Sequence, residues 1–188
     1  MTGITRPLTP RLSPLRDEEL TPAQEEVVHP NGTAYALNIT RTLARNPQLL
    51  RSWTKFASYL MNSSSLPARE REILILRTGF RCNSAYELAQ HRVIARQSCL
   101  DEKEIDSIWG DGSALTQFER SLIKAVDELV EEHCISDATW TDLAMHYQDQ
   151  QLIDTVFTVG NYINVSIALN SFGVQIEPDF ETFWSEQA

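Results

Sequence analysis

Three side chains near the middle of the chain have the types and the spacing of an acid/base unit. If residues 84–97 form a helix, Ser84, Glu87 and His91 fall at i, i+3 and i+7 on one face, with Glu87 one turn before His91. A carboxylate within reach of an imidazole fixes the ring's tautomer and raises its proton affinity, so that one proton can be given or taken near neutral pH. Glu72, on the preceding apolar segment, supplies a second carboxylate if that segment packs on the same face, and two carboxylates around one histidine push their proton affinities apart. The plainer reading of the same residues is a solvated Glu–His contact worth roughly a few tenths of a kcal/mol, with Glu72 paired to Arg69 three residues earlier. Of the other histidines, His29 lies in a Pro/Gly-rich segment and His133 and His146 sit at predicted helix ends, so a structural role is expected for each. None of them forms a close His/Asp/Glu cluster, and no metal is expected.

The elements that must position these residues read as helices. Asn46-Pro47 is a helix start, and Leu49, Leu50, Trp53, Phe56, Ala57 and Leu60 recur at spacings of three and four as far as Asn62. Leu66-Pro67 opens a second helix whose four consecutive apolar residues, Ile73 to Leu76, predict burial on most sides, and Gly79 is expected to weaken or end it. Asp101 with Glu104 caps a short helix reaching Trp109, and Thr116 with Glu119 forms a capping box before another. Ser136 begins a helix through Tyr147. The segment Gln151–Phe172 is rich in β-branched residues, but its length, its apolar spacing and Gly173 at its end predict a helix. Asp154, Asn161, Asn164 and Asn170 within it argue against a membrane span. The prediction is an all-α fold: an irregular proline-rich arm over residues 1–35, a helical domain over 36–180 and a tail over 181–188.

The 188 residues carry a net charge of −10, unevenly spread. Residues 69–96 hold six arginines against three glutamates, whereas residues 97–188 hold three basic and eighteen acidic groups. Such an acidic surface repels the phosphate backbone, so no nucleic-acid partner is expected, and a small anionic substrate is expected near residues 69–96. Cys82, Cys99 and Cys134 show no Cys-x-x-Cys spacing, which argues against a disulfide scaffold and a zinc ribbon and favours a reducing compartment. With no signal peptide or anchor recognised at the N-terminus, a soluble cytoplasmic protein with no membrane partner is expected.

The run LPAREREILILRTGFRCNSAYELAQHRVIARQSCLDEKEI, residues 66–105, resembles the carboxymuconolactone decarboxylase family, of the same superfamily as the alkylhydroperoxidase AhpD, and the likeness extends over about residues 41–178. Its most specific parts are Arg71-Glu72 and Tyr86-Glu87-Leu88-Ala89-Gln90-His91. The resemblance implies an AhpD-like helical bundle that assembles as a homo-oligomer, a trimer or hexamer. The peroxidase branch carries a glutamate, then Cys-x-x-Cys, then a histidine four residues after the second cysteine; here those cysteine positions hold Ser84 and Glu87, while the upstream glutamate falls on Glu72. A dithiol cycle needs a reactive thiolate and a resolving thiol, which this pattern lacks.

The decarboxylase branch, with Glu-x-x-x-His and no cysteines, is the better match. It implies an enzyme that needs no cofactor and releases carbon dioxide from a small unsaturated or lactone carboxylic acid, or runs a related lyase or isomerase step. His91 is then the expected proton donor, Glu87 its orienting partner and Glu72 a second relay carboxylate. Ser84, Cys82, Tyr86 and one of Arg77, Arg81 or Arg92 are expected to contact substrate, the guanidinium holding its carboxylate. Two alternatives stand beside this: a thiol peroxidase working through Cys82, and a binding protein of the same fold without catalysis. The resemblance also leads to glycine, not cysteine, at position 99, a helix-end position.

Overall fold

A computed structural model of the chain describes residues 6–33 and 36–177; the expected tail at 181–188 lies outside them. The described elements are α-helices and short 3-10 turns: α1 (Pro22–Val28), α2 (Asn38–Leu43), α3 (Pro47–Asn62), α4 (Ala68–Arg81), α5 (Ala85–Gln97), α6 (Glu102–Ser107), α7 (Gln117–Glu131), α8 (Asp137–Ala144) and α9 (Asp149–Phe172). The all-α expectation holds. Two differences concern its pieces. The stretch read as an irregular arm contains α1, because Pro22 presets the first turn and Gln24 Oε1 accepts from the Thr21 backbone N–H at 2.9 Å. The expected helical domain over 36–180 divides into two units, one drawn from the chain before Leu60 and after Ile167, the other from Leu60–Ile167.

The first unit has a small apolar cluster of its own, Leu15, Val28, Ala44 and Leu50. Arg41 and Arg45 donate to the carbonyls of Leu15 and Ser13, both at 3.0 Å, and so tie down the segment before α1. Gly173, with φ of +68°, ends α9 where the sequence placed a C-terminal cap; a Cβ there would meet the Thr9 carbonyl oxygen at 2.8 Å, so glycine is required twice over.

The second unit holds the main core. Ile73, Leu74, Ile75 and Leu76 of α4 are all buried, as four consecutive apolar residues predict, and Ile73, Leu74 and Leu76 join Leu122, Ile123, Val126, Leu143 and Val159 in the core. α4 packs against α5 and α7, and α7 against α8. The predicted caps are present: Thr116 and Glu119 exchange hydrogen bonds at 2.8 and 3.2 Å, and Asp101 and Glu104 do so at 2.9 and 2.8 Å. α9 is long and apolar enough to cross a membrane by length and composition. Its Asp154 is buried and accepts from the backbone N–H and hydroxyl of Ser65, each at 2.7 Å, which suits a protein interior.

Candidate active site

The two helices that carry the acid/base residues meet at a glycine. Contrary to expectation, α4 runs through Gly79 and ends at Arg81, because tertiary contact outweighs glycine's weak helix propensity. A Cβ on Gly79 would lie 3.3 Å from both Glu87 Cβ and Leu88 Cδ2, so the missing side chain lets α5 come close beside Glu87.

That approach brings Glu72, Glu87 and His91 together out of water. Glu72 is fully buried, and Glu87 and His91 are 5% and 6% exposed. His91 Nδ1 lies 2.7 Å from Glu72 Oε2, a short hydrogen bond, and Nε2 lies 3.5 Å from Glu87 Oε2, too far for a strong one. Each ring nitrogen therefore faces a carboxylate, and the solvated Glu–His contact is ruled out. Arg69 is not the partner of Glu72: it binds Glu104 at 2.5 Å and Glu119 at 2.6 Å, and the neighbour Arg71 reaches Glu72 Oε1 at 3.3 Å. From α9, Tyr162 sets its ring edge-to-face with the imidazole, centroids 5.0 Å apart, and donates its hydroxyl to Met61 Sδ at 3.0 Å.

The electrostatics follow from burial among like and unlike charges. Burial pushes the Glu87 carboxyl up; the His91 cation pulls it down, and the Glu72 carboxylate adds to the rise. For His91 burial works downward, but the charge and hydrogen bond of Glu72, with Glu87, outweigh burial and the opposing Arg71, leaving the imidazole above its ordinary value. Burial, then the two carboxylates, hold the Tyr162 phenol well above its usual range, so it stays a neutral donor. A histidine whose proton affinity is raised, beside a carboxyl whose proton affinity is raised too, has the groups a proton relay needs.

The arginines expected to hold a substrate carboxylate are engaged elsewhere. Arg77 grips both oxygens of Asp127, at 2.8 and 2.7 Å, and donates to the carbonyls of Ile108 and Gly110 at 2.6 and 2.9 Å. Arg81 pairs with Asp127 at 2.8 Å and with Glu131; Arg92 pairs with Asp106 at 2.9 Å and with Glu102. The reason lies in the charge asymmetry: acidic groups from residues 97–188 fold onto the arginine-rich segment and neutralise it. The cation at the site is Arg71, which spacing alone did not single out.

Among the other predicted contacts, Ser84 is fully buried at the start of α5, one turn before Glu87, and its hydroxyl has no hydrogen-bond partner. Tyr86 is buried beside Glu87 in sequence, and Cys82 is half-buried where α4 ends. Cys99 has φ of +64°, the left-handed conformation that favours glycine, at the position where the resemblance led to glycine. Cys99 and Cys134 are exposed and free. Tyr162 and Met61 come from segments far from His91 in sequence, so no local spacing relates them to it; the one signal is the polar row of α9, too hydrophilic for a plain core face.

The architecture is that of the AhpD-like all-α proteins. Solved structures with the same fold include the AhpD-core, peroxidase-related protein from Ralstonia eutropha JMP134, with TM-score 0.75 and 17% identity over 90% of this chain and 94% of that one. A peroxidase-related protein from Silicibacter sp. TM1040 gives 0.75 and 17% over 95% and 97%. The debrominase Bmp8 with 2,3,4-tribromopyrrole gives 0.73 and 14% over 94% and 97%. Residues 47–128, the segment that carries Glu72, Glu87 and His91, match the model of the Carboxymuconolactone decarboxylase family. Comparison with curated proteins gives no match.

Proposed function

We propose that the chain is an acid/base enzyme of the carboxymuconolactone decarboxylase type, acting without a cofactor on a small unsaturated or lactone carboxylic acid. The observation that carries this is His91 clamped between two buried carboxylates, with Glu72 on Nδ1 and Glu87 near Nε2. The bond between the substrate carbon and its carboxylate breaks, carbon dioxide leaves, and the electron pair flows into the conjugated carbonyl to give an enolate. His91 delivers the proton from Nε2 to carbon, Glu87 passes it a replacement from solvent, and the Nδ1 bond to Glu72 keeps the ring in place. Arg71 supplies the positive charge toward which the substrate carboxylate is drawn. The absence of a thiol at positions 84 and 87 supports proton chemistry over a dithiol peroxide cycle.

The same reading makes the protein cytoplasmic, which its cysteine spacing suits, and a homo-oligomer, since α9 leaves Ile153, Phe157 and Ile167 more than half exposed along one side. Assay of purified protein with an unsaturated lactone carboxylic acid tests the activity: folded His91→Ala and Glu87→Gln variants lose most turnover, and unchanged rates in both refute it. Full activity in Cys82→Ser is expected; its loss would point to thiol chemistry instead.

A further inference from the structure

Resting on the reading of the His91 site as a place where a small organic substrate binds, we propose that Thr158, Tyr162 and Ser166 of α9 form an oxygen-binding wall of that site, taking the carbonyl and ring oxygens at the uncharged end of the ligand. The three residues stand at i, i+4 and i+8, on the face of α9 whose Tyr162 ring meets His91.

Two observations set this row apart from ordinary core. Thr158 and Ser166 are fully buried, and neither hydroxyl has a hydrogen-bond partner. A helical Thr or Ser normally satisfies itself on the carbonyl four residues back, as Thr155 does on Gln151 at 2.8 Å. Thr158 and Ser166 leave that option unused. Ser84, on the α5 face shared with Glu87 and His91, is a third orphaned hydroxyl, so orphans lie along both helix rows that meet at the His91–Tyr162 contact. Buried polar groups without partners are costly and rare, and a cluster of them points to ligand atoms or ordered water.

Tyr162 adds a donor held in reserve. Its hydroxyl points at the Met61 thioether, a weak acceptor that yields to any carbonyl oxygen. Neutral hydroxyls donate well to carbonyl, ester and ring oxygens. The neighbouring carboxylates Glu72 and Glu87 repel a second anionic group from this side, which assigns the wall to the uncharged end of the ligand.

The test is an NMR titration of the full chain with 2(5H)-furanone, an uncharged unsaturated lactone, against cyclopentene as a hydrocarbon of similar size. Furanone is expected to bind more tightly than cyclopentene, and Tyr162→Phe, Thr158→Val and Ser166→Ala are each expected to weaken it about fivefold. Thr158→Val and Ser166→Ala should also melt at or above the wild-type temperature, because each removes a hydroxyl that is unsatisfied without ligand. Absence of furanone binding to the wild type, or equal affinity in all three variants, overturns the proposal and leaves water as the occupant. Turnover in His91→Ala is read separately. Unchanged turnover there with the furanone pattern intact refutes the acid/base reading alone, and the converse refutes only the wall.

Discussion

His91 Nδ1 donates to Glu72 Oε2 at 2.7 Å from a ring that is almost wholly buried, and Glu72 meets Arg71 with its other oxygen. The bond spans 19 residues and joins α4 to α5. It commits Nδ1 to the protein and leaves Nε2 as the nitrogen free to exchange a proton, with Glu87 beside it.

The pH dependence of stability follows from that pairing. His91 is held above its ordinary value of 6.5, so the stability it contributes is fully present below pH 6.5 and is lost as pH rises through the folded value. Glu87, raised from 4.5, acts in the same direction: its contribution is complete below pH 4.5 and fades as pH climbs through its folded value. The difference in melting temperature between wild type and His91→Gln should therefore shrink between about pH 6 and pH 9. A difference that grows over this range would contradict the assigned charge states.

Arg77 and Arg71 separate structural from site electrostatics. Arg77→Met strands two carbonyls and leaves Asp127 with Arg81 alone, and should cost about 2–4 kcal/mol in denaturant unfolding while leaving the pH profile of turnover in place. Arg71→Met should do the opposite. Its cation lowers the proton affinity of His91, so removing it should move the imidazole titration, followed by NMR, to higher pH. A shift in Arg77→Met and none in Arg71→Met would reverse the assignment.

Gly79→Ala probes the close approach of α4 and α5. In an open helix this change gains about 1 kcal/mol, but here the new methyl meets Glu87 Cβ and Leu88 Cδ2 at 3.3 Å. Lower melting temperature together with reduced turnover is expected, since Glu87 is the residue displaced. A melting temperature raised by the helix-propensity gain would show that the contact is slack.

Much of this was legible from sequence because it is local. Capping boxes at Asp101 and Thr116, the apolar run Ile73–Leu76 and the Glu87–His91 spacing each depend on residues within a few positions, and each stands as read. What failed was non-local. Gly79 looks like a helix breaker until α5 is laid against it, and Arg77 and Arg81 look like substrate ligands until Asp127 folds onto both. Tyr162 and Met61 lie about 70 and 30 residues from His91 in sequence, and only the packed structure relates them to it.

The proposed homo-oligomer would use the outer side of α9, where Ile153, Phe157 and Ile167 are exposed. Light scattering on the wild type should give a trimer or hexamer, and Phe157→Glu, a charge placed in an apolar stripe, should lower the mass without unfolding the chain. A wild-type monomer at micromolar concentration contradicts this.

The most direct measurement is turnover of an unsaturated lactone carboxylic acid, followed by carbon dioxide release, in wild type and in a His91→Asn variant whose circular dichroism matches it. Loss of the proton donor should lower kcat about 100-fold or more, with KM changed far less. Equal kcat in the two proteins would show that His91 does not carry the proton.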